Sequence, residues 1–192
     1  MQNFKIFNRK QRGFTLIELG VVTAIGFLIA GIGLYKAPSI MANYRANAEL
    51  QELPQIVTNA QKSYSNASNY TGATLDALIR LDAFPQNRVT IPGSGAATAT
   101  NRWNGAITFA VGTISIAGDI GRLNYAGIPA SECKNVVVGA AQIFRRVFVD
   151  GANSGTMGAG TLVKADNAAL DTTALGTACS GNANSITYDF SK

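Results

Sequence analysis

FTLIELGVVTAIGFLIAGIGLY, residues 14–35, runs for 22 positions with a single ionisable group, Glu18. At 1.5 Å per residue a helix of that length covers roughly 33 Å, enough for the hydrocarbon core of a bilayer. Lys5, Arg9, Lys10 and Arg12 precede it with no acidic residue among them. Such a basic flank stays in the cytoplasm, so the remainder of the chain is expected outside, in a single-pass orientation. An ordinary secretory signal peptide has an apolar core of only about 7–15 residues followed by a small-residue cleavage site. Here the apolar run is longer, carries an acid near its start and continues into a helical pattern, so the segment is read as retained.

Glu18 is the odd residue of that run. A carboxylate inside a membrane helix costs about 2.5–3.5 kcal/mol on insertion scales. It either snorkels to water near the interface or meets a cation at its own depth, and a newly cut amine at residue 14 would be such a cation. The pairs Gly20/Ala24 and Gly26/Ala30 have the small-xxx-small spacing that lets helices approach closely, although membrane helices are rich in small residues in any case.

Four of the five units of formal charge sit ahead of residue 13. Four of the 16 basic residues lie before residue 13, leaving 12 against 11 acidic ones, so no strong pull toward nucleic acid is expected of the body. The chain has no histidine, which removes the commonest general base and metal ligand, and no phosphate-binding glycine motif. No catalytic site, metal site or cofactor is therefore expected. In an exported chain Cys133 and Cys179 allow one disulfide with one connectivity, the alternative being two buried thiols. Closing residues 133–179 stabilises by about 4 kcal/mol at most in the chain-entropy model.

Beyond Pro38 the pattern turns amphipathic. Leu53, Val57, Ala60 and Tyr64 form one apolar stripe, with Asn43, Arg45, Asn47, Glu49, Gln51 and Glu52 on other faces. Bends are expected at Pro38 and Pro54, and turn formers in residues 65–72 end a helix of about 50 residues. A short helix is expected over residues 74–81 with Leu75, Leu78, Ile79 and Leu81 buried, then a flexible loop over residues 93–100. Residues 106–118 read as a hairpin turning at Val111-Gly112-Thr113. A helix over residues 132–142 capped by Ser131, a strand over 143–149, a loop over 151–160 and a strand over 185–190 complete the pattern. Asp76 and Asp82 read as surface charges, and Arg145-Arg146 as a solvated strand edge or a subunit contact. The fold class is α+β: a long N-terminal helix, half membrane segment and half amphipathic, packed on an antiparallel sheet.

Gly13-Phe14-Thr15-Leu16-Ile17-Glu18, with the basic leader before it and the apolar tail after it, resembles the class III signal of type IV pilins and of type II secretion pseudopilins. The resemblance implies that a prepilin peptidase cuts between Gly13 and Phe14 and methylates the new amine of Phe14. It also implies that Glu18 docks subunits by pairing with that amine on a neighbour, which fixes axial register because a misaligned subunit leaves a buried charge unpaired. The head, from the helix through Asn101, Arg102 and Trp103 to the cysteine-bounded segment, is similar to type IVb major pilins such as those of thin conjugative pili. The 13-residue leader and the Phe14 start are nearer type IVa. In pilins a disulfide such as Cys133–Cys179 bounds the C-terminal variable region.

The resemblance divides the chain into a leader (1–13), a transmembrane and polymerisation segment (14–38) and a head (39–192). It implies a structural major subunit, stored in the inner membrane with its N-terminus cytoplasmic and polymerised into an extracellular filament. Adhesion, aggregation, motility and conjugation or DNA uptake are the roles such filaments serve. Its partners would be copies of itself, the peptidase and assembly machinery, and in some settings a cell-surface receptor, with no specific nucleic-acid ligand. A minor pilin or pseudopilin, and a membrane-anchored binding domain that never polymerises, are the alternatives.

Overall fold

The computed structural model describes residues 14–150 and 157–192. The leader with Gly13, and residues 151–156 of the expected loop, lie outside them. Helix α1 (Leu16–Ser63) is continuous. It passes Pro38 and Pro54, which remove N–H donors toward Leu34 and Leu50 without ending the helix. The chain divides into two compact units between Ile40 and Met41, and α1 contributes to both.

In the first unit α1 is solvent-exposed along its length: Leu16 is 91% exposed, and its most apolar window has no buried residue. In the second unit Ala46, Glu49, Leu53, Ile56, Val57 and Ala60 are buried, a stripe at steps of three and four. Glu49, expected on an outward face, is thus part of the core-facing stripe.

The remaining elements follow as α2 (Leu75–Arg80), a single 3-10 turn (Gln86–Arg88), β1 (Val89–Thr90), β2 (Thr98–Thr100), β3 (Ala106–Thr113), β4 (Ala117–Ile128), α3 (Ala130–Ala140), β5 (Arg146–Asp150), β6 (Thr161–Lys164), α4 (Thr172–Ala178) and β7 (Asn184–Ser191). The strands form one sheet in the order β1-β2-β3-β4-β7-β5-β6, every neighbour antiparallel. Its inner face supplies Ile107, Leu123, Tyr125, Val147, Ile186, Tyr188 and Phe190 to the core. Tyr188 stacks on Phe144 at 4.5 Å and meets Tyr125 edge-on at 5.7 Å.

Several local expectations are corrected. The hairpin turns at residues 114–116, because the Asp119 carboxylate accepts the N–H groups of Ile114, Ser115 and Ile116 and Gly118 supplies a φ of +80°. Gly112 stays in β3 opposite Ile120. Helix α3 is entered from Pro129, with no side-chain cap from Ser131. Residues 98–100 of the expected loop pair as β2, and β5 begins three residues later than expected. Leu81 is exposed, lying past the end of α2, while Leu78 and Ile79 are buried and Thr74 caps that helix. Trp103 sits in the turn between β2 and β3. Asn101 Oδ1 accepts from the N–H groups of Trp103 and Gly105 there, and a Cβ at Gly105 would collide with the Ala126 carbonyl.

Candidate functional site

Thr15 precedes the first helical residue, and Glu18 stands three positions on. Thr15 N–H and Oγ1 both donate to Glu18 Oε2 at 3.0 Å, and Glu18 N–H donates to Thr15 Oγ1 at 3.2 Å. This is a reciprocal capping box, in which the acid satisfies an orphan donor of its own helix. The T-x-x-E spacing is its sequence signal. Phe14 lies beside it and is exposed.

Further along, a Cβ added at Gly20, Gly26, Gly31 or Gly33 would meet nothing within 4 Å. Each glycine costs a helix about 0.5–1 kcal/mol relative to alanine. Nothing among the described residues explains that cost, whereas close approach of another helix would. Among the described residues α1 is the one helix long and apolar enough to cross a membrane.

The head hides two charge clusters that the pattern of the sequence did not reveal. In the first, Arg88 Nη2 donates to Glu49 Oε2 and Glu52 Oε2, each at 2.7 Å, and Arg88 Nη1 donates to the Thr100 carbonyl at 3.2 Å. Arg102 Nη2 donates to Glu52 Oε1, and the Arg102 N–H donates to Glu49 Oε2 at 3.2 Å. Trp103 Nε1 donates to Glu132 Oε2 on α3. Glu49 is 1% exposed. Burial raises its pKa above the usual glutamate value, and the Arg88 guanidinium and the Arg102 N–H only partly offset this. The cluster joins α1 to the 3-10 turn and to the β2–β3 turn.

In the second cluster, Asp189 on β7 is 0% exposed and accepts from Arg122 Nε at 2.7 Å, Arg122 Nη2 at 3.0 Å and Arg146 Nε at 2.9 Å. Both guanidinium groups also lie 5.7 Å from the Phe148 ring centre. Arg145 pairs with Asp166. The expectation of a solvated edge at Arg145-Arg146 therefore fails, since β5 is an interior strand and both side chains are ion-paired. Among the described residues no group of three or more acids, cysteines or histidines could hold a metal.

Cys133 and Cys179 are joined by a disulfide with Cα atoms 5.7 Å apart. Cys133 is carried by α3 and Cys179 ends α4, a helix started by Asp171, which accepts the N–H groups of Thr173 and Ala174. An exposed apolar helix with an acid in its first turn thus leads into a helix-on-sheet head closed by a disulfide. The family described as PilS N terminal matches residues 43–190, and the prokaryotic N-terminal methylation motif matches residues 8–34.

The chain belongs to the PilS family of type IV pilins.

The crystal structure of the type IV b pilin from Salmonella typhi has the fold of this pilin. The two are 19% identical, with 76% of this chain and 99% of that one aligned at a TM-score of 0.57. TcpA, a type IV pilin from Vibrio cholerae El Tor biotype, aligns at 16% identity over 75% of this chain and 99% of its own, with a TM-score of 0.48. The NMR structure of the Salmonella typhi PilS pilin aligns at 20% identity over 76% and 96%, with a TM-score of 0.45. No curated protein matches by sequence. The family and fold are those of structural subunits, not enzymes. For this pilin, Cys133→Ala with Cys179→Ala lowers unfolding free energy by up to about 4 kcal/mol, the chain-entropy limit for this loop. Denaturant midpoints of oxidised wild type and double variant, compared at one pH, check the figure.

Proposed function

We propose that this pilin is the major structural subunit of a type IV pilus. Residues 14–35 anchor it in the inner membrane with the N-terminus cytoplasmic. A prepilin peptidase cuts between Gly13 and Phe14 and methylates Phe14, after which α1 packs with its copies into the core of an extracellular filament. Glu18 docks each subunit on the methylated amine of a neighbour's Phe14.

The observation that carries this reading is the wholly exposed apolar stretch of α1 ahead of a closed head. Leaving that much apolar surface in water is untenable, at about 25 cal/mol per Å². A bilayer covers it before assembly and other copies of α1 cover it afterwards. Its glycines, idle within one chain, fit the second environment.

Mass spectrometry of material sheared from cells tests the proposal. The expected N-terminus is methylated Phe14, in a species that dominates the sheared fraction. A chain beginning at Met1, or one present only in traces, would overturn the major-subunit reading. Replacing Gly13 with a bulky residue leaves an uncut precursor, visible as slower migration on a gel, whereas complete processing of that variant contradicts the cut site.

A further inference from the structure

Glu49 and Glu52 stand one turn apart on α1 and converge on one nitrogen. Each places an oxygen 2.7 Å from Arg88 Nη2, so those two oxygens are at most twice 2.7 Å apart. Two carboxylates that close repel unless one carries a proton, and the more buried of the two is the favoured carrier. Glu49 is that one, and its other oxygen, Oε1, is buried with no hydrogen-bond partner. The hydroxyls of Tyr125 on β4 and Tyr188 on β7, both packed in the same core, are also buried without partners, as is Arg102 Nε.

The charged and titratable groups facing Glu49 are Glu52 from α1, Arg88 from the 3-10 turn, Arg102 from the β2–β3 turn, Tyr125 from β4 and Tyr188 from β7. Two cations and two acids make the cluster neutral only when both acids are ionised. That state leaves Glu49 Oε1 as a charged acceptor without a donor, which is costly in a buried site.

We propose that Glu49 and Glu52 are a proton-accepting carboxyl pair built under α1, which takes up one proton, on Glu49, under milder acid than an unfolded glutamate requires. Once protonated, Glu49 no longer holds a buried charge beside an oxygen that has no partner. Arg88 and Arg102 remain paired with Glu52, so the tie between α1 and the two turns persists. The pair thus makes the head tolerant of acid where most carboxylate contacts weaken.

The direction of the pH effect follows from linkage. A group whose proton affinity is higher in the folded than in the unfolded chain contributes stability on the acid side. That contribution is lost as pH rises from the unfolded glutamate value of 4.5 through the raised folded one. Asp76, Asp119 and Asp166 work the opposite way, because backbone N–H groups or Arg145 hold their pKa values down, and their contribution fades as acid is added.

The chain suits a direct test, having only four glutamates, Glu18, Glu49, Glu52 and Glu132, and no histidine. Side-chain carboxyl carbons of full-length protein, labelled at glutamate and held in detergent micelles, are followed by NMR across pH. The expected result is one signal, missing in Glu49→Gln, with a midpoint above the unfolded glutamate value of 4.5. In Glu52→Gln that midpoint moves to lower pH, because the repelling charge is gone. Should Glu49→Gln not fold, the wild-type and Glu52→Gln titrations still decide. A Glu49 midpoint at or below the unfolded value, or one unmoved by Glu52→Gln, would overturn the proposal.

Discussion

Replacing Glu18 with glutamine is expected to reduce the yield of sheared filaments by roughly a hundredfold or more, while cleavage and membrane insertion continue. Glutamine retains a carbonyl oxygen for the Thr15 donors, and Gln serves as well as Glu at this position of a capping box. The start of α1 is therefore left in place and only the charge is lost. On the proposed docking, the neighbour's amine in an assembled core then stands unpaired. Breaking a buried ion pair by removing one partner costs about 3–5 kcal/mol, and 1.4 kcal/mol is a factor of ten. Immunoblots of sheared and cell-bound fractions provide the measurement. Wild-type filament yield from this variant would remove Glu18 from the assembly step and leave it only a helix cap.

The second large effect lies in the head. Asp189→Asn should lower its unfolding free energy by about 3–5 kcal/mol, since Arg122 and Arg146 lose the one carboxylate they share. Asparagine keeps the shape but offers one accepting oxygen in place of two, so the charge and at least one arginine hydrogen bond are lost together. A protein of ordinary stability has about 5–15 kcal/mol in all, which places the variant near the limit of folding. Denaturant unfolding at neutral pH reads it, and a change below about 1 kcal/mol would show that solvent compensates the two guanidinium groups.

The apolar start of α1 was legible because length and hydropathy alone define a membrane-compatible helix. The long helix, α2, β3 and β7 were legible for a similar reason, as their apolar periods agree with their final environments. Glu49 was not, because period-based reading assigns a charged residue to the outer face. Yet one step of four back from Leu53 lands on it, and a glutamate in an apolar stripe signals a buried cation elsewhere. Which arginine supplies that cation depends on the tertiary path of residues 81–102, and no local pattern encodes it. The turn between β3 and β4 was misplaced for a different reason. Gly112 looks like a turn former, but a carboxylate six residues beyond the true strand end, Asp119, gathers the backbone donors there. Asp189 reads as one polar residue in an alternating strand, and its two arginine partners come from β4 and β5.

The strand carrying Asp189 is the last element in the sequence, yet it lies between β4 and β5 within the sheet. Until β7 arrives, β4 and β5 are raw edges facing one another across a gap, and the earlier strands cannot join into one sheet. A chain made from its N-terminal side must therefore deliver residues 184–191 before the head can close. Non-local pairing of this kind is slow and leaves strand edges open to aggregation in the meantime. Delivery of β7 becomes the checkpoint for folding, and a chain cut short before Asn184 cannot close its sheet.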